Sequence, residues 1–129
     1  MHGVTRLALR DLVGVRSGDK GDISDLTLFA DDRATYDVIV REVTIERVKR
    51  HFGSFVHGRI ERFEAPNVLA LKFVLYDALG GGGPRSLRSD NLGKTLGGSL
   101  LRLVINVPDE IAVRAPRRGR RAPLDRPAT

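Results

Sequence analysis

Four consecutive glycines, Gly80 to Gly83, constrain this chain more than any other feature. They end a hydrophobic run, and Pro84, Arg85, Ser86, Leu87 and Arg88 follow before Ser89-Asp90 opens a helical pattern. Glycine loses more conformational freedom on ordering than any other residue, so a run of this kind is costly to hold in one shape. A chain keeps it as a loose linker or because its backbone must approach something closely. Two arginines and a helix start just beyond the glycines favour the second, with an anion as the thing approached.

The rest of the composition bounds what surrounds that stretch. With 129 residues, one domain is expected. The chain is 41% hydrophobic and 29% charged, as globular proteins are, but only 5% aromatic and without Trp, so its core must be built from Leu, Val, Ile and Phe. Absence of Cys removes disulfides, thiolate metal sites and cysteine nucleophiles. No apolar run reaches the roughly 18 residues of a membrane helix, and Arg6 and Arg10 interrupt the N-terminal hydrophobics, so neither a membrane span nor a signal peptide is expected and the cytoplasm is the expected location. Half of the net charge of +6 lies in residues 109–129, where six arginines face Asp109, Glu110 and Asp125. We divide the chain into a folded domain, 1–108, and a basic tail, 109–129, disordered from Pro116 because it has almost nothing to bury. The tail reads as a solubilising extension rather than a nucleic-acid arm, since the folded part lacks the aromatics that would stack single-stranded bases.

Periodicity then sets the element order. Residues 4–15 read as a strand broken by Arg10-Asp11, either bulged or split in two. Arg16 to Ser24 reads as a tight polar surface loop, and Asp25 to Ala30 as a strand with Leu26 and Leu28 on one face. Residues 33–52 read as two short helices or one bent helix, with Asp31 or Asp32 and then Thr44 as caps and Gly53 as a stop. A strand over 58–64, a turn at Pro66-Asn67 and a clean strand over 68–76 predict a hairpin. Leu92, Leu96 and Leu100 mark a helix, in which Gly97-Gly98 predicts close packing or an early end; residues 103–107 alternate as a last strand. From Asp25 the order is strand, helix, strand, strand, helix, strand. That is an α+β, ferredoxin-like split βαβ sandwich with an additional N-terminal strand. Its uncovered sheet face is half apolar, which predicts a homo-oligomer.

In such a fold the first and third strands run antiparallel, so the loop before one and the loop after the other share an end of the sheet. This brings Ser17, Gly18, Asp19, Lys20, Gly21 and Asp22 towards Gly80, Gly81, Gly82, Arg85, Ser86 and Arg88. Amide groups, a helix start and several cations around one point suit a phosphate or carboxylate. Asp19, Lys20 and Asp22 are also the acid–base candidates, and nothing ranks one above another. Asp19 and Asp22 offer oxygens of the kind Mg²⁺ takes, but two carboxylates beside a lysine more often pair with it, so no metal is expected. His2, His51 and His57 match no zinc spacing. Gly93-Lys94-Thr95 fails as a Walker A motif, because position 88 is Arg where that motif needs Gly. Ser17 and Ser86 lack a nucleophile elbow.

Taken together, Ser17-Gly-Asp-Lys-Gly-Asp22, Glu46-Arg-Val48 leading to Phe52-Gly53, Pro66-Asn67, Ala70-Leu71, Phe73-Val-Leu75, Ala78-Leu-Gly-Gly-Gly82, Ser86-Leu-Arg88, Asp90 and Gly93-Lys94 resemble, in that order, the C-terminal domain of AtuA-like proteins, named for acyclic terpene utilisation. The resemblance spans about residues 13–107. It implies a ferredoxin-like fold, a domain found either at the end of a larger protein or as a separate small chain, and a setting in the catabolism of acyclic terpenoid or branched acids as acyl-CoA thioesters. It therefore implies an AtuA-like large subunit as partner and a CoA-type ligand, and leaves the domain's own activity undefined; no cofactor is expected. The alternatives are an independent acyl-CoA-processing enzyme using the Ser17–Asp22 loop, or a ligand-free structural oligomer. The family pattern carries Asn where this chain has Asp25 and Lys72, and it lacks the fourth glycine, Pro84 and the arginine-rich tail.

Overall fold

The computed structural model describes residues 3–78 and 96–115. In chain order the elements are β1 (Val4–Ala8), a 3₁₀ turn (Leu9–Asp11), β2 (Gly14–Lys20), β3 (Ile23–Phe29), α1 (Arg33–Glu42), α2 (Ile45–Phe52), β4 (Ile60–Ala65) and β5 (Ala70–Leu75). A helix taking in residues 96–100 (α3), β6 (Val104–Pro108) and α4 (Asp109–Ala112) follow.

Alternation builds the main sheet. Leu26 and Leu28 of β3, and Leu71, Phe73 and Leu75 of β5, are fully buried on one face. On the other face Thr27 pairs with Lys72, Asp25 with Val74, and Phe63 of β4 with Lys72, all at least partly exposed. Four antiparallel strands lie in the order β2-β3-β5-β4. The buried face joins Tyr36 and Ile39 of α1, Val48 and Phe52 of α2, and Leu96 and Leu100 of α3 in one core. Leu7, Ile105 and Val107 of a separate antiparallel pair, β1-β6, complete it.

This is the ferredoxin-like α+β arrangement expected, with β3, β5 and β4 as the first, third and second strands of the split βαβ. Three details differ from the sequence reading. The supposed surface loop from Arg16 is mostly strand: β2 runs to Lys20, and only Gly21-Asp22 turn the chain into β3, with Gly21 at φ 63°. That hairpin occupies the edge of β3 where a fourth split-βαβ strand would lie. A partner two residues away closes at far lower entropic cost than one eighty residues away. The final strand, β6, pairs instead with β1. Beyond Pro108, where the sequence reading ended the domain, α4 continues with Ile111 and Ala112 buried against β1 and β6. The stretch 116–129, read as a disordered tail, lies outside the described residues.

Polar groups lock the layers together. Asp32 caps α1 by accepting from the Thr35 N–H at 2.8 Å, and Thr44 caps α2 by accepting from the Arg47 N–H at 3.2 Å. Arg62 of β4 donates to the Val40 and Val43 carbonyls at the end of α1, at 2.9 and 3.3 Å. These are helix-end acceptors with no partner inside the helix. Glu42 and Arg47, either side of the α1–α2 corner, meet β6 as a neighbouring strand would. The Arg47 guanidinium donates to the Val104 carbonyl at 2.7 Å, and Glu42 accepts from the Asn106 N–H at 3.2 Å.

Candidate functional site

The rim of the sheet at the β2–β3 turn is where the two distant segments were expected to meet. The Ala78 N–H donates to the Asp22 carbonyl at 2.9 Å. Ser24, beside that turn, is paired with Leu75 at the end of β5. The chain leaving β5 therefore passes directly along the β2–β3 turn. Gly80, Gly81, Gly82, Arg85, Ser86 and Arg88 lie outside the described residues, as do Leu92 and the Gly93-Lys94-Thr95 triplet.

On the other side of the rim, the strand conformation of Ser17 to Lys20 sorts the candidates by face. Ser17 and Asp19 pair with Leu26 and Ser24, whose side chains are buried, so both lie on the helix-covered side. A Cβ added to Gly97 of α3 would sit 3.3 Å from the Ser17 hydroxyl oxygen, so the helix approaches β2 closely here, as the glycine pair predicted. Gly18 and Lys20 pair with Asp25 and Ile23 and belong to the open face. Asp19 and Lys20, neighbours in sequence, thus point to opposite sides of the sheet and do not form one acid–base unit. Among the described residues no group of His, Cys, Asp or Glu side chains is arranged to hold a metal ion.

Beside Ser17 and Gly18, already candidates from the sequence, β2 and β3 bring in Arg16, Asp25, Thr27 and Phe29, which the sequence did not single out as site residues. Arg16, Ser17, Gly18, Asp25, Thr27 and Phe29 line a shallow concavity of about 390 Å³ beside β2. It exists because the open-face positions of β2 alternate glycine with a cation: Gly14, Arg16, Gly18, Lys20. Asp25 sits directly across from Gly18, and Lys72 is one pair along on the far side of β3. Asp25 and Lys72 therefore fall on one small area. Among the described residues, neither Arg16 nor Asp25 makes an ion pair. The signal was present as a glycine–cation alternation of period two, masked by the poor strand propensity of Gly, Ser and Asp. Further along the same face, Arg59 stacks over the Tyr76 ring at 4.0 Å and bonds Glu61 at 3.1 Å. That bond, with one from the Tyr76 hydroxyl, holds the Glu61 carboxyl below its ordinary range.

A second concavity, of about 170 Å³, lies among Arg47, Arg50, His51 and Leu103. His51 is anchored there by the Ser99 carbonyl at 2.7 Å, which requires its Nε2 to carry the proton. Arg47 is engaged by Glu42 and Val104, so among the described residues Arg50 is the one of the two arginines without a side-chain bond. His57 is exposed, in keeping with a solvated histidine.

The family model of the AtuA ferredoxin-like domain matches residues 7–106 of the chain. No curated protein and no solved structure matches it. No helix among the described residues is long and apolar enough to cross a membrane.

Proposed function

Because this chain belongs to the AtuA ferredoxin-like family, we propose that it is an accessory subunit for an AtuA-like large protein and binds an anionic group of the ligand that this partner handles. The ligand group is a phosphate or carboxylate of an acyl-CoA-type molecule from acyclic terpenoid or branched-acid catabolism. In this proposal Lys20 and Gly21, at the β2–β3 turn, supply one side of the site and the segment carrying Gly80, Gly81, Gly82, Arg85, Ser86 and Arg88 the other, while Ser17, on the covered side of β2, and Gly18, within the ladder, fall outside it. The observation that carries this reading is the Ala78–Asp22 hydrogen bond at 2.9 Å, which delivers the chain to the β2–β3 turn just before the glycine run begins. Amide-rich turns with arginines suit a multiply charged anion, because each N–H and guanidinium donates without an intervening proton transfer.

Two measurements test it. The chain should co-purify with an AtuA-like large protein when both are expressed in one cell; consistent failure to associate overturns the subunit reading. CoA should raise its melting temperature, by the equivalent of about 2.7 kcal/mol at 100 times the dissociation constant. Lys20→Ala should remove most of that rise. An unchanged melting curve with CoA, inorganic phosphate and dicarboxylates overturns the anion site.

A further inference from the structure

We propose that two copies of this chain pair through β2, antiparallel and centred on Ser17, into one continuous sheet in which the Arg16 of each copy reaches across the partner's Gly18 to the partner's Asp25. The proposal concerns the edge of the sheet rather than its face, and does not rest on the anion site.

The first observation is that no described strand pairs with the outer edge of β2. β2 ends the sheet order, and its seven residues carry no proline or bulge that would blunt it. A two-residue hairpin turn makes Lys20–Ile23 a pair that exchanges both main-chain bonds, and such pairs alternate along the ladder. Gly14, Arg16, Gly18 and Lys20 therefore direct their N–H and C=O groups towards β3. Val15, Ser17 and Asp19 direct theirs outward. Among the described residues no main-chain bond from another element meets those three.

Side chains then select register and occupant. Pairing centred on Ser17 sets Ser17 against the partner's Ser17 and Val15 against the partner's Asp19, so all three outward residues meet outward residues. On the open face it sets Arg16 against the partner's Gly18, and Lys20 against the partner's Gly14. Each cation is thus opposite a glycine. Moving the register one step either way along the same face sets Arg16 against the partner's Arg16, or Arg16 against the partner's Lys20, which like charges disfavour.

Gly18 is what makes the charge contact. Asp25 lies directly behind it in the ladder, and a Cβ at Gly18 would already touch the Asp25 carboxylate at 3.5 Å. With hydrogen there instead, an arginine lying over Gly18 has a clear path to that carboxylate. Two strand spacings, about 10 Å between Cα atoms, are spanned by an extended arginine and an aspartate together. Arg16 and Asp25, which make no ion pair among the described residues, then form two ion pairs related by the two-fold axis. The open concavity beside β2 becomes a closed seam between the copies. Lys20, over a glycine, has room to turn its ammonium to the rim. On the covered side, the axis brings the two α3 helices near each other, and open space surrounds the Cβ position of Gly98.

The test uses the full chain in analytical ultracentrifugation without added ligand, where a concentration-dependent dimer is expected. Arg16→Glu and Asp25→Arg should each weaken it about a hundredfold, tenfold for each of the two symmetric contacts. The combined charge swap should restore it. Circular dichroism melting checks that each variant is folded. Independently, Ser17→Cys should oxidise to a covalent dimer, since the chain has no other cysteine and an antiparallel pair holds opposite Cα atoms about 5.5 Å apart, within disulfide range. Ser54→Cys, at an exposed position away from β2, should cross-link far more slowly. A chain that stays monomeric, a dimer indifferent to Arg16→Glu, a charge swap that fails to restore pairing, or equal cross-linking at both positions overturns the proposal.

Discussion

Asp32 carries two attachments on one carboxylate. One oxygen caps α1 at Thr35 and the other pairs with Arg114 just beyond α4. The cap bond from Thr35 is the main reason its carboxyl is held below the ordinary value of 3.8, with Arg114 adding to it. A carboxylate depressed in the folded state stabilises above its unfolded pKa, and that contribution is lost as pH falls through the lower folded value. We therefore expect Asp32→Ala to cost about 1 kcal/mol near neutral pH, with the gap to wild type closing in acid below the unfolded value; thermal melts across pH measure both. The Tyr36 hydroxyl behaves oppositely. At 2% exposure it has no full hydrogen bond among the described residues, although the Ala65 main chain approaches it, and burial raises its pKa. Tyr36→Phe should be neutral or stabilising by up to about 1 kcal/mol, because an unsatisfied buried hydroxyl is removed at constant shape. Gly58 leaves no such freedom. A Cβ there would lie 2.5 Å from the Tyr76 carbonyl oxygen, and the Gly58 N–H bonds that same oxygen. Gly58→Ala should cost about 1–3 kcal/mol in chemical denaturation. At this scale the caps were legible, since Asp32 and Thr44 act on amides three residues away. The Gly58 clash was not, because its partner, Tyr76, is distant in sequence, just beyond β5.

The α1–α2 corner shows how elements are held. Val43 leaves the helical conformation and Thr44 restarts it, so the sequence alternative of two helices holds and one bent helix does not. Around that corner the Glu42–Arg47 pair at 3.2 Å stands in for a strand neighbour of β6. A double-mutant cycle on Glu42→Ala and Arg47→Ala should show coupling above the roughly 0–1 kcal/mol of an exposed ion pair, in the upper part of the range of about 0.5–3 kcal/mol for contacting residues. Strands β3, β4 and β5 were readable because hydrophobic and polar residues alternate along most of their length. The second strand, β2, was not: only Val15 among its residues is a good strand former. Its structure comes from the turn that follows and from β3 beside it.

Across the whole molecule, the C-terminal segment closes the fold. Ile111 and Ala112 are buried on the β1–β6 pair, and Arg114 returns to Asp32. Ending the chain at Pro108 should therefore lower stability by about 2–3 kcal/mol, mostly from exposing Ile111, measurable as a lower denaturation midpoint. The basic composition after Asp109 suggested a tail from that point, because charge counts do not register two buried residues among arginines.

The sequence by itself determined the α+β class, the split βαβ order of its central elements, the helix caps and the hairpin at Pro66. All of these follow from alternation, turn chemistry or contacts within four residues. Tertiary structure decided which strand takes the free edge of β3, where β6 goes, and which side of the sheet each residue from Ser17 to Lys20 serves. Those outcomes turn on competition between pairings that are distant in sequence. A hairpin closed by two residues wins such a competition whatever the strand propensities say.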